Sequence, residues 1–168
     1  MPAPSQWRPM TPDDIHPVDE IGRIVHPDYP EDIAVLKDRL ALFPAGCFVA
    51  DGGGMHLGYA VSHPSTIGKP APLNTVIGAL DKAADCLFLH DIALTQAARG
   101  LGLGRSLLEK LVDVANRQGF ARLALVSVNN SRTYWQAQGF RTFAADAALA
   151  AKLASYEADA AYMIFEIA

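Results

Sequence analysis

The sequence predicts a mixed α/β (α+β) fold, one sheet flanked by helices, on three observations. Apolar runs of strand length alternate with amphipathic stretches of helix length only in part, which favours a mixed sheet over a purely parallel one. Two strand-like runs surround Gly52-Gly53-Gly54, a hairpin signal because glycine tolerates the positive φ of tight turns. The length of 168 residues, 51% of them hydrophobic, suits a single domain over residues 1–168 with a real core.

Residues 11–25 read as helix after Thr11-Pro12-Asp13-Asp14, where a threonine cap, an early proline and two acids favour a start. His26-Pro27-Asp28-Tyr29-Pro30 interrupts it, and helix resumes near Glu31 with Ile33, Leu36 and Leu40 on one stripe until Pro44 and Gly46. Strands are expected at 47–51 and 56–63. Residues 64–85, rich in proline, glycine and alanine, read as a loop with some local structure. The run 87–94 reads as a central strand whose apolar continuity is broken only by His90 and Asp91. Helix follows over 102–118, with Leu107, Leu108, Leu111, Val112 and Val114 on a broad stripe and Gly119 as stop. A strand at 122–128, a short helix at 131–138, a strand beginning at 140–143, an alanine-rich helix over 144–161 and a closing strand at 162–167 complete the reading.

The net charge is -4, the wrong sign for a general nucleic-acid binder, but it is unevenly spread. Seven basic residues stand against two acids between Arg99 and Arg141, so that segment is basic and the remainder strongly acidic. Such a split suits a polyanionic ligand at one end and a cationic one at the other, although solvated surface charge explains it equally. Cys47 and Cys86 sit in apolar surroundings as small core residues rather than a disulfide framework. No apolar run approaches the roughly 18 residues that span a bilayer, and the first residues lack a signal-peptide core. A cytoplasmic protein with no membrane or nucleic-acid partner is expected; oligomeric state is open, a homodimer included.

The chemistry concentrates around Arg99-Gly100-Leu101-Gly102-Leu103-Gly104-Arg105, between a buried strand and an amphipathic helix. The first turn of a helix exposes unpaired N–H groups and a positive dipole end, a ready site for phosphate. Gly100, Gly102 and Gly104 would let a pyrophosphate approach the backbone, and Arg99 and Arg105 would add charge. Neither the dinucleotide pattern G-x-G-x-x-G nor a Walker loop is present, which disfavours a nucleotide-binding module.

This segment resembles the Q/R-x-x-G-x-G/A signature of the GNAT superfamily of N-acetyltransferases. The similarity extends from about Leu87 through Asn129-Asn130 to Trp135-Gln136-Ala137-Gln138-Gly139-Phe140. It implies a mixed, mainly antiparallel sheet and acetyl-CoA as cosubstrate, with no metal. It also implies transfer of an acetyl group to a primary amine of a small molecule or peptide by direct attack on the thioester. The edge at Ile92, Ala93 and Leu94 would pair with the pantetheine arm. The Arg99–Arg105 amides would hold the pyrophosphate, and Asn129 would touch the cofactor arm unless it is simply a turn residue, with Asn130 competing for the role.

A base and an acid are needed around the thioester. His90 is the candidate base, with a parity matching Ile92 and Leu94, while Asp91 should face the other way and hydrogen-bond structure or orient a neighbour; a satisfied core histidine is the alternative. Trp135 occupies the position where relatives commonly carry a tyrosine, so the candidate acid is the adjacent Tyr134, an aromatic packing residue otherwise, with solvent as substitute. His26 and Tyr29 would bind the acceptor. Asp28 and Glu31 either attract a cationic amine or cap the second helix. The order of residues around Tyr29-Pro30-Glu31 is faintly similar to the arylalkylamine branch. Trp135 also leaves open a coenzyme A-binding sensor or regulator without turnover.

Overall fold

The computed structural model describes residues 4–168. Seven strands form one sheet in the order β1-β2-β3-β4-β5-β7-β6. They are β1 (Gln6–Pro9), β2 (Cys47–Gly52), β3 (Met55–Ser65), β4 (Cys86–Leu94), β5 (Arg122–Ser127), β6 (Arg141–Thr142) and β7 (Ala161–Glu166). All pairings are antiparallel except β4 with β5, so the sheet is mixed and mainly antiparallel. The helices are α1 (Ile15–Val25), α2 (Ile33–Leu42), α3 (Leu103–Arg117), α4 (Arg132–Ala137) and α5 (Ala147–Ala154).

Strand alternation divides the core into two layers. Phe48, Ala50, Leu87, Leu89, Leu123 and Leu125 face α3, whose Leu103, Leu107 and Leu111 close that layer. On the opposite face Val49, Val61 and Ala93 receive Val18 and Ile21 of α1 and Leu40 of α2. Further along that face Phe88, Ala124 and Ile164 receive Leu149 and Leu153 of α5. Each fully buried leucine contributes about 1.5–3 kcal/mol. Cys47 and Cys86 are free and buried, their thiols pushed up to about 12 by burial.

Three elements differ from the sequence reading. Strand β1 was not expected, because Gln-Trp-Arg-Pro carries one large apolar residue; Trp7 makes it a strand by burying beneath α3 and donating to the Leu103 carbonyl at 2.9 Å. The alanine-rich helix is only Ala147–Ala154, started by the Asp146 carboxylate on the Leu149 amide. It ends there because the chain must turn back to lay β7 beside β5. The β2–β3 turn is two residues, Gly53 and Gly54, both at positive φ.

Residues 66–85 hold no strand or helix but are tied down by side chains. Asp38 accepts from the Ile77 and Gly78 amides, Arg39 donates to the Thr75 carbonyl, and Lys152 and Tyr156 donate to the carbonyls of Pro70 and Ala71. The segment therefore bridges α2 and α5 on one face of the sheet.

The entry into α1 depends on one carboxylate. Asp14, 5% exposed, accepts both arms of Arg8 at 2.8 Å and the Thr11 amide at 2.8 Å. The Arg8 bonds hold its carboxyl far below the usual range despite burial. A carboxyl depressed in the fold contributes stability above the unfolded value, near pH 4, that is lost as pH falls. Asp14→Asn should therefore cost about 1–3 kcal/mol at pH 7. Thermal unfolding at pH 7 and pH 3 should show the gap between variant and wild type narrowing in acid.

Candidate functional site

The site opens where β4 and β5 separate. They pair only over Leu87–Leu89 and Leu123–Leu125, after which β4 follows β3 as far as Leu94 and β5 follows β7 as far as Ser127. A cleft fills the gap, bordered by His90, Ile92, Leu94, Asn129, Tyr134 and Trp135 among others. The Thr95 amide bonds the Leu57 carbonyl, so by antiparallel alternation Ala93 and Asp91 also turn their main-chain groups to β3. Ile92 and Leu94 then present theirs to the cleft, whereas Ala93 does not.

At the end of β4 the chain passes through a 3₁₀ turn into α3. Gly100 and Gly102 stand at φ +76° and +72°, backbone that a side chain would strain. Gly102 caps α3 without any side-chain acceptor. The amides of Arg99 and Leu101 are engaged by the carbonyls of Gln96 and Ala98. Those of Gly100, Gly102, Leu103, Gly104 and Arg105 have no protein acceptor among the described residues. Unpaired amides, the positive end of a helix and the exposed Arg99 and Arg105 make this bend chemically suited to a diphosphate. Gly104 makes room for Tyr134: a Cβ there would lie 1.8 Å from the Tyr134 hydroxyl, so the ring would have to swing aside. Tyr134 thus rests against the first turn of α3, 44% exposed, its hydroxyl kept protonated by partial burial that raises its pKa.

Across the cleft, Asn129 and Asn130 form a left-handed turn at φ +55° and +58°, and Asn129 also borders the cleft. Trp135 is buried against Phe140 in the core, edge to face.

On the α1–α2 side the structure corrects the parity argument. Ser62 pairs Leu89 and Val61 pairs Asp91, so His90 is the extra residue of a β-bulge. The bulge turns His90 and Asp91 to the same face. His90 lies near His63 and Phe88, and Asp91 accepts from Tyr59 at 2.6 Å, while Ile92 and Leu94 pack on the α3 side. The His90 Nε2 meets the Glu31 carboxylate at 2.9 and 3.1 Å. Glu31 does not cap α2. The cap is Asp32, and Asp28 is exposed. Burial opposes the Glu31 charge, but bonds from His90 and the Asn74 amide outweigh it and hold the carboxyl below its ordinary value.

His26 reaches back to β4, its Nε2 2.8 Å from the Ile92 carbonyl and 3.3 Å from Asp91, which raises its pKa. The Tyr29 hydroxyl donates to Glu157 at 2.8 Å, and the other oxygen of Glu157 accepts from the Asn129 amide at 2.8 Å. Sequence reasoning missed Glu157 and Tyr59, neither of which carried a signal; Asp91, expected to hydrogen-bond structure or orient a neighbour, does so through Tyr59 and His26. Gly104→Ala should displace the Tyr134 ring and weaken binding at the bend, as isothermal titration with coenzyme A would measure.

The profile of the acetyltransferase (GNAT) family matches residues 13–140. A search of curated proteins found no match. Solved structures of similar fold include Ard1 from Thermoplasma volcanium, with TM-score 0.74, 17% identity and 99% of both chains covered. The ribosomal-protein-S18-alanine N-acetyltransferase from Escherichia coli is similar at TM-score 0.67 and 18% identity, over 98% of this chain and 94% of that one. Arabidopsis thaliana Naa50, in complex with a bisubstrate analogue CoA-Ac-MVNAL, is similar at TM-score 0.68 and 11% identity, over 96% and 97%. With a cleft between parting strands, a bend of unpaired amides and a family match across most of its length, this chain belongs to the acetyltransferase (GNAT) family.

Proposed function

We propose that the protein transfers an acetyl group from acetyl-CoA to a primary amine. The unpaired amides of Gly100 and of Gly102 to Arg105 carry this reading. They would hold the pyrophosphate, with Arg99 and Arg105 beside it, and the Ile92 and Leu94 edge would receive the pantetheine amides. Asn129 and Tyr134 would line the cofactor arm from the other side of the cleft. Acetyl-CoA supplies a thioester carbonyl that an amine can attack directly.

The remaining chemistry falls to the chain's own groups. The amine must lose a proton as its bond to carbon forms. His90 would take it, directly or through water. Glu31 fixes the Nε2–H tautomer, which leaves Nδ1 as the lone-pair nitrogen. Tyr134, whose hydroxyl stays protonated at neutral pH, supplies a proton to the departing thiolate, with solvent as the substitute. His26 and Tyr29 face the acceptor from the α1–α2 connection, and residues 66–85 contribute Leu73 to the same wall. A coenzyme A-binding sensor of the same fold would have no use for a buried carboxylate-imidazole pair beside its cofactor edge, and the Glu31–His90 contact favours turnover.

Thiol release over a panel of amines and peptide N-termini should detect activity. Binding of acetyl-CoA without release from any of them would favour the sensor. His90→Ala should lower kcat/KM by about 10²–10⁴-fold near neutral pH. It should recover partly at alkaline pH, where the amine deprotonates by itself, and an unchanged pH profile would remove His90 as the base. Glu31→Gln should reduce kcat more than it changes the KM for acetyl-CoA.

A further inference from the structure

A second, smaller cavity lies between α1 and α2, and His26, His90 and Asp91 separate it from the cofactor cleft. Its charged groups are unequally satisfied. Asp19 accepts from Arg23 at 3.0 Å, Glu31 from His90, and Asp91 from Tyr59. Asp32 is exposed to water. The remaining charged group, Arg39 of α2, is 0% exposed. Its Nη1 donates to Asp38 and to the Thr75 carbonyl, each at 2.9 Å. Its Nε and Nη2 are buried without a partner among the described residues.

Those two nitrogens form one edge of the planar guanidinium, a pair of parallel N–H donors spaced to meet the two oxygens of a carboxylate. A buried cationic donor left unpaired is costly, and a carboxylate would supply acceptors for both nitrogens at once. Val18, Val35, Leu36 and Val61 give the rest of the cavity an apolar lining.

We infer that the acceptor is an amino acid: its carboxylate docks on the Nε–Nη2 edge of Arg39, its apolar body fills the cavity, and its amine points to His90. The inference deepens the acetyltransferase reading and rests on it. Because Arg39 has no solvent exposure, a carboxylate reaches that edge only if α2 parts from α1.

Thiol release from acetyl-CoA by the wild-type protein is measured with each of the twenty amino acids. The best is then compared with its carboxamide and its decarboxylated amine. A site built to bond a group discriminates strongly against analogues lacking it, so kcat/KM should favour the free acid by at least about 100-fold. Arg39→Lys, a point charge without the fork, should collapse that ratio towards one. If it does not fold, the wild-type comparison alone decides. Equal or better use of the carboxamide or the amine overturns the carboxylate site and leaves acetyl transfer intact. If no amino acid releases thiol, calorimetric titration of the same compounds decides. Binding of the acid but not its carboxamide sustains the site without the activity, and binding of neither at millimolar concentration overturns it.

Discussion

The site depends on a sheet that stops being continuous. Over three residue pairs β4 and β5 form a parallel ladder, and then each strand is drawn off by its antiparallel neighbour. Continued pairing would consume the main-chain groups of Ile92 and Leu94 and leave no cleft. Their divergence supplies a free strand edge, a gap wide enough for a linear ligand, and a route into the first turn of α3, where the amides are unpaired. Two buried layers hold the strands apart, α3 on one face and α1, α2 and α5 on the other.

The glycine-rich bend was legible in the sequence because its physics is local. Positive φ, a missing cap and flanking arginines are all properties of a few consecutive residues. The strands of the centre were legible for the same reason, as apolar runs of the right length. The bulge at His90 was not, since it is set by the register against β3 and leaves no mark on β4 itself. Strict alternation therefore assigned His90 and Asp91 to opposite faces. Glu157 is further out of reach: its partner Tyr29 lies 128 residues away, and nothing in the intervening sequence ties the two. The alanine-rich segment misled through propensity, which favours helix up to residue 161 while the sheet requires the chain to turn after Ala154.

Charge in the molecule follows the uneven distribution along the chain. The bend before α3 carries Arg99 and Arg105 with the helix dipole, while the opposite side of the cleft gathers Glu31, Asp91 and Glu157, each already bonded within the protein. Satisfied acids of this kind position histidines and tyrosines rather than attract ligands by field alone. The distinction matters for His63 as well. It is buried on the same face, with its pKa pushed down to about 4 by desolvation, and so stays neutral at pH 7. It therefore leaves Arg39 as the buried cation of that region.

The two halves of the site meet at one oxygen. The Ile92 carbonyl, on the edge offered to a cofactor, also accepts from His26, a residue of the acceptor wall. A carbonyl oxygen has two lone pairs, so it can serve both, but the second donor must come in at the angle the first leaves open. Placement of the pantetheine arm and placement of His26 are therefore not independent. Asp91 holds the imidazole by the same nitrogen, and Tyr59 holds Asp91 from β3. A chain of contacts thus runs from the sheet, through Asp91 and His26, to the strand edge, making the acceptor wall part of the cofactor's seat.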